Sequence, residues 1–270
     1  MLLSILVIQS DSADNGQERP DGDPTNRRLV LPLRDGEIPD LTQTDPKGGF
    51  AREGKSYCAP VAISNSLIAI LGDRWQGSQY DLVNEIASEG FMKTDPVDGT
   101  GPNGVMRGVR QFLISQGYDE KSFKIDFQGW RSHAAEFSSG LEKPDPASFA
   151  DAMKSGAVWL NVGWYRKEAE SGDYVRIGGH WVTAIGVKPS APPAVMIHDP
   201  APRAGLEPRS QLVRLKRING GTLKGTQKNL PHPADGFFEM GGEMVIKSTA
   251  DCAIIDGVVT LRFTEPEKDR

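Results

Sequence analysis

The sequence predicts an α+β protein in which helices come first and antiparallel strands follow. Between about residues 58 and 117, apolar side chains recur at helical spacing. From about residue 157 to residue 263, short runs of high β-propensity alternate with turns rich in glycine and proline. No internal repeat interrupts this order. Helices and strands that are segregated along the chain favour a sheet with helices packed against one side.

The predicted helices have recognisable beginnings and ends. Proline at position 60 suits a first helical turn, where a missing N–H costs nothing. Ser78 and Asn103 are typical N-caps, and Asp81 follows Ser78 at nearly the spacing of a capping box. The predicted helices begin at Cys58, Ser78, Asn103 and Pro146, and each stops near a glycine, at Gly72, Gly90, Gly117 and Gly156.

The predicted strands are short and lie mostly in the second half of the chain. They cover residues 123–127, 157–165, 178–187, 194–200, 212–215, 237–240, 243–247 and 258–263, with a further edge strand at 28–33.

Composition and sequence patterns divide the chain into three parts. Residues 2–8 resemble the apolar centre of a secretory signal, which favours a secreted or periplasmic protein over a cytoplasmic one; the alternative is an apolar start on a loose tail. The polar segment that follows lacks periodicity and predicts a linker. We therefore expect a linker segment over 1–45, a globular domain over 46–204, and a β-rich extension over 205–270 that packs on the same domain.

The totals exclude several classes of protein. A net charge of −5 provides no basic surface for nucleic acid. No stretch approaches the roughly 20 apolar residues of a membrane helix. Two cysteines cannot form a disulfide scaffold, and the four histidines show no spacing typical of a metal site, so no metal or organic cofactor is expected. No sequence pattern indicates an oligomeric state.

The residues around Cys58 point to nucleophilic chemistry. A thiol at a helix N-terminus lies at the positive end of the helix dipole, which stabilises a thiolate. Such a nucleophile needs a base, and the base needs a group that orients it. If the strands 178–187 and 194–200 form a hairpin with Val187 opposite Ala194, then Val182 lies opposite Asp199. Asp199 is then on the same face as His180, as its diagonal neighbour. Each residue also has a structural interpretation: Cys58 as core filler, His180 as a polar strand residue, and Asp199 as a turn residue before proline.

The segment Tyr57-Cys58-Ala59-Pro60, together with Gly178-Gly179-His180-Trp181-Val182 and His198-Asp199-Pro200, resembles papain-like cysteine peptidases. The resemblance is closest to the double-glycine leader peptidase domains of bacteriocin exporters and their stand-alone bacterial relatives, and it covers about residues 50–200. It implies a papain-like fold, with an N-terminal helical half, a C-terminal antiparallel sheet and a cleft between them. It also implies cleavage of a peptide or protein substrate, with Cys58 as nucleophile, His180 as general base and acid, and Asp199 as the orienting residue.

One expected residue is absent from its usual place. The family has a glutamine a few residues before the cysteine, and here Arg52 occupies that position. Arg52, Ser56 or the more distant Gln43 would have to supply the missing oxyanion donor. Three functions therefore stay open: a thiol hydrolase of peptide or related amide bonds, an acyl transferase that uses the same triad, and a weak or inactive module that binds an extended peptide.

Overall fold

The computed structural model describes residues 38–188, 192–201, 209–225 and 230–264. The predicted secretory signal at 2–8 and the edge strand at 28–33 lie outside the described residues.

Four α-helices occur within the described ranges, and the first two confirm their predicted starts. The Ser78 hydroxyl and the Asp81 carboxylate form the reciprocal bonds of a capping box. The third helix begins two residues earlier than predicted, with Gly101 rather than Asn103 as its N-cap. The helices are α1 (Cys58–Leu71), α2 (Gln79–Ala87), α3 (Pro102–Ser115) and α4 (Phe149–Ser155). Within the described residues, none is both long enough and apolar enough to span a membrane.

Nine strands form one sheet in the part of the chain that the structure describes. They are β1 (Phe123–Gly129), β2 (Gly156–Lys167), β3 (Tyr174–Lys188), β4 (Ala194–His198), β5 (Gln211–Arg217), β6 (Thr222–Lys224), β7 (His232–Pro233), β8 (Phe238–Gly242) and β9 (Cys252–Phe263). The strand predicted over 243–247 is wrong, because those residues form a turn and irregular backbone. The short strands β6 and β7 were not predicted.

Six of the strands close into an antiparallel barrel. Neighbours around the ring are β2, β3, β4, β5, β8 and β9, and β9 returns to pair with β2. Strand β1 adds to the outside of the ring at β9, and β6 with β7 adds at β3. The predicted papain-like fold is therefore wrong: short helices accompany a closed barrel, and there is no helical half facing a separate sheet within the described residues.

Strand β9 is the physical reason for this difference. Nearly all of its residues are buried, because its side chains pack into hydrophobic clusters on both faces. It pairs with β2 along one edge and with β1 and β8 along the other. A strand from the end of the chain thus joins the ring instead of forming a separate extension, and strands from the predicted 46–204 and 205–270 segments share one barrel.

Two hydrophobic clusters occupy opposite faces of the barrel wall. Alternate residues of the ring strands, including Leu160, Val182 and Ile197, meet in the barrel interior, and Phe149 of α4 packs against them. On the outer face, Trp159 and Trp181 pack beneath the apolar sides of α1, α2 and α3. The N-terminus of α1 is thereby held over strand β3.

Candidate functional site

Cys58 is the first residue of α1, and a strained loop delivers it there. Arg52, Glu53 and Gly54 all have positive φ, a conformation that side chains other than glycine rarely adopt. At Gly54 a Cβ atom would lie 1.6 Å from the Gln43 carbonyl oxygen, so the loop requires glycine. Cys58 itself is half-buried and free of any disulfide.

Gln43 holds this loop from the other side. Its buried amide Nε2 donates to the carbonyl oxygens of Gly54 at 2.9 Å and Lys55 at 3.0 Å. Its backbone N–H donates to the carbonyl of Pro200, 2.9 Å away. The segment around residue 43 therefore links the loop before Cys58 to the residue that follows Asp199.

His180 and Asp199 form a buried pair. His180 Nε2 donates to Asp199 Oδ1 at 2.6 Å, and the two residues are 6% and 0% exposed. The imidazole also stacks on the indole of Trp164, with ring centroids 5.7 Å apart. Because Nε2 is occupied by the carboxylate, Nδ1 is the ring nitrogen left for a second partner.

The strand register explains how this pair forms. At the turn, Val187 lies opposite Val195, one residue away from the predicted alignment with Ala194. A bulge between Ala184 and Gly186 removes that offset, so Ala184 lies opposite Ile197 and the predicted register holds from there on. The register near the site is confirmed, and it places Asp199 beside His180.

The Cys58 side chain lies within hydrogen-bonding reach of His180. Burial alone would lower the pKa of His180, but the Asp199 carboxylate and the Cys58 side chain outweigh burial and raise that pKa from 6.5 to about 10. The environment thus favours an imidazolium between a carboxylate and a thiol.

Two hydrogen bonds fix the helices to the strand that carries His180. Thr183 Oγ1 donates to the Ala62 carbonyl of α1 at 2.6 Å. The Trp181 indole N–H donates to the Thr100 carbonyl, just before α3, at 2.9 Å. These contacts set the position of the α1 N-terminus relative to His180.

Cys58 and His180 open into a cleft of about 740 Å³. Its walls come from the loop before Cys58, the loop before α3, the middle of β3 and the segment 245–248. A cleft of this volume is in the range of sites for small ligands or short peptide segments.

The three candidate oxyanion donors are differently placed. Arg52 is exposed and outside the residues that line the cleft. Ser56 lines the cleft, but its hydroxyl donates to the Val97 carbonyl at 2.8 Å. Gln43 also lines the cleft, yet both hydrogens of its amide nitrogen are engaged by the loop carbonyls. None of these side chains therefore brings a free donor into the cleft.

Two asparagines have different environments. Asn65 is buried, and its Oδ1 accepts from Leu41 N–H and Gln79 Nε2, so it ties the chain before α1 to α2. Asn161 lines the cleft, and its buried Oδ1 has no hydrogen-bond partner among the described residues. We interpret Asn65 as structural, whereas Asn161 presents an acceptor at the site.

A charged cluster that the sequence did not predict lies close to Cys58 and His180 in the cleft. Arg131 and Arg176 both line the cleft, and Arg176 Nε donates to the buried carboxylate of Asp256 at 2.6 Å. The Tyr165 hydroxyl donates to the same carboxylate. No local motif indicates this cluster, because its members come from distant parts of the chain.

The chain was compared with protein-family models, with curated proteins and with solved structures, and none of the three comparisons gave a match.

Proposed function

We propose that this protein is a thiol hydrolase that cleaves a peptide or related amide bond through an acyl-enzyme. In this proposal Cys58 is the nucleophile, His180 is the general base and acid, and Asp199 orients His180. The single observation that carries it is the continuous contact from Asp199 through His180 to Cys58 at the wall of an open cleft.

The chemistry follows from this order of groups. In the reactive form of the pair, the proton shared by Cys58 and His180 lies on Nδ1 of His180, and the Cys58 thiolate attacks the substrate carbonyl carbon. When the tetrahedral intermediate collapses, the C–N bond breaks and the imidazolium gives its proton to the leaving amine. Water then attacks the thioester while His180 takes one of its protons, and collapse of this second intermediate releases a carboxylic acid and restores the thiol.

Asp199 and Trp164 support the role of His180. A buried carboxylate at Nε2 fixes the ring tautomer and stabilises the imidazolium that forms during each half of the reaction. Trp164 covers the ring, which keeps water from competing for the hydrogen bond to Asp199.

The backbone of α1 supplies the donor for the oxyanion. The first N–H groups of an α-helix have no acceptor within the helix, and the N–H of Cys58 is the first of these in α1. A backbone donor beside the nucleophile, assisted by the positive end of the helix dipole, stabilises the negative charge of the tetrahedral intermediate.

A peptide-binding module without efficient turnover is the second candidate. The engaged amide of Gln43 favours it, because a missing oxyanion donor costs about 100- to 1000-fold in turnover. This candidate retains the cleft and predicts that peptides bind without being cleaved.

The experiment is a digest of a defined peptide library with wild-type protein and with the Cys58→Ala and Asp199→Asn variants. The hydrolase proposal predicts new peptide termini with the wild type only, and an acyl adduct on Cys58 that mass spectrometry detects after an acid quench. Unchanged peptides together with retained peptide binding would contradict hydrolysis and support the binding module.

A further inference from the structure

The cleft contains more positive charge than the chain as a whole. Although the net charge of the chain is −5, the side chains that line the cleft include four cationic ones and one carboxylate, that of Asp98. The cations are Lys55, Arg131, Arg176 and Lys247. Lys55 forms an exposed ion pair with Glu53 and Lys247 is exposed to solvent, so the two arginines are the cations to explain.

Arg176 has a partner within the protein. It is 7% exposed and pairs with Asp256, which is fully buried. Two glycines make room for the pair. A Cβ at Gly179 would lie 2.3 Å from Arg176 Nη2, and a Cβ at Gly163 would lie 2.5 Å from Asp256 Oδ2.

Arg131 lacks such a partner among the described residues. Its Nε and Nη1 atoms are buried and make no hydrogen bond. Burial and the nearby Arg176 guanidinium lower the pKa of Arg131, although Asp256 and Tyr165 partly offset this effect. One carboxylate thus faces two guanidinium groups, which leaves one positive charge without compensation.

Arg131 is only half-buried, but buried guanidinium nitrogens without a hydrogen bond are costly, and an anion in the cleft would remove the cost. The planar fork of arginine matches a carboxylate with two parallel N–H···O bonds. We propose that Arg131 and Arg176 form a subsite for a carboxylate of the substrate, so that the substrate class is peptides that present a carboxylate to the cleft. In assigning this ligand to the substrate of Cys58, the inference rests on the proposed function.

The carboxylate has two chemical sources, an acidic side chain and a free peptide C-terminus. Two matched pairs of peptides distinguish them. Acetyl-Gly-Glu-Gly-amide is compared with acetyl-Gly-Gln-Gly-amide for the side chain, and acetyl-Gly-Gly with a free carboxylate is compared with its amide for the terminus. The pair that shows a preference identifies the source.

Binding is measured at constant ionic strength in a Cys58→Ala background, so that no peptide is cleaved. Trp164 and Trp181 line the cleft and report binding by their fluorescence. We expect the carboxylate member of one pair to bind about tenfold more tightly than its neutral partner, as a charged hydrogen bond would give. Arg131→Gln should abolish that preference, whereas Arg107→Gln, which removes an exposed arginine on α3, should retain it.

Equal affinities within both pairs, or a preference that persists in Arg131→Gln, would overturn the subsite, as would the absence of saturable binding by both carboxylate peptides. This measurement needs no catalysis, so its outcome is independent of the library digest. The carboxylate subsite can be disproved while hydrolysis is shown, and hydrolysis can be disproved while the subsite is shown.

Thermal unfolding separates a binding role from a structural one. Arg131→Gln removes an unpaired charge, and we expect its Tm to equal or exceed that of the parent protein. Arg176→Gln leaves the buried Asp256 carboxylate without its ion-pair partner, and we expect a lower Tm. A large loss of stability in Arg131→Gln with an unchanged peptide preference would show that Arg131 is structural, and would overturn the proposal.

Discussion

At the scale of single residues, the protonation of His180 is the property on which the account depends. Its ring lies between a carboxylate at 2.6 Å and the Cys58 side chain, in a place that water hardly reaches. The pKa of about 10 means that the folded protein holds a proton that the unfolded chain, with a pKa of 6.5, releases earlier as pH rises. Protonation of His180 therefore stabilises the native state, and this contribution depends on pH.

The first prediction concerns this dependence. Protonation of His180 stabilises the native state fully below about pH 6.5, and this contribution disappears as the pH rises through about 10. In Asp199→Asn the carboxylate that holds the proton is gone. We expect the difference in Tm between wild type and Asp199→Asn to be largest near pH 6 and to shrink steadily towards pH 10. Thermal unfolding followed by circular dichroism measures it, and a difference that stays constant or grows with pH would contradict the assignment.

The three proposed triad residues could be selected from the sequence, because each signal is local. Proline at position 60 indicates where the helix starts, so Cys58 falls at its N-terminus. Strand alternation places Asp199 on the face of His180 once a register is assumed. The pair of Arg176 and Asp256 could not be predicted, since neither residue has a distinctive neighbour and only the folded sheet brings them together.

At the scale of elements, the site depends on the contact between α1 and β3. Thr183 Oγ1 donates to the Ala62 carbonyl and is fully buried. Thr260 on β9 is also fully buried, but its hydroxyl has no partner among the described residues. These two threonines form a matched pair, because valine has nearly the shape of threonine without the hydroxyl.

We predict that Thr183→Val lowers the free energy of unfolding by about 1 kcal/mol, the usual net value of a buried hydrogen bond. Thr260→Val should leave the free energy of unfolding unchanged or raise it, because it removes an unsatisfied polar group. Urea unfolding of both variants measures the effects. Equal losses in the two variants would show that the link between α1 and β3 contributes nothing specific.

Helix and strand positions could be predicted better than their irregularities. The capping box at Ser78 and the glycine after α1 mark their helix ends directly. The bulge between Ala184 and Gly186 leaves no local signal beyond the glycine, yet it decides which residues pair near the site. The predicted register is right at Asp199 only because this bulge removes the offset at the turn.

At the scale of the whole molecule, closure of the barrel by β9 determines the architecture. This strand pairs with β1, β2 and β8, whereas β6 and β7 form a small ribbon attached to β3. Such a closure rests on contacts between strands far apart in sequence. Hydrophobic periodicity predicts where the strands lie but not which strands pair. The sequence therefore predicts an α+β protein but does not predict the closed barrel.

Native-state hydrogen exchange tests this description. Because β9 is almost wholly buried and pairs with three other strands, we expect the amides of β9 to exchange only through global unfolding, with the highest protection in the protein. The amides of β6 should exchange faster by local opening. Proteolysis of the exchanged protein followed by mass spectrometry resolves both segments, and equal protection in β6 and β9 would contradict a barrel closed by β9.

The most direct test of the central claim is the rate at which iodoacetamide alkylates Cys58 between pH 5 and pH 9. A Cys252→Ala background removes the second thiol, which is buried and whose pKa burial raises to about 12. If Cys58 and His180 form a thiolate–imidazolium pair, the wild type reacts rapidly near pH 6, and His180→Ala reacts only as an ordinary thiol does, near pH 8.5 and above. Identical profiles in the two proteins, or a Cys58 that reagents do not reach, would contradict a catalytic thiol at this site.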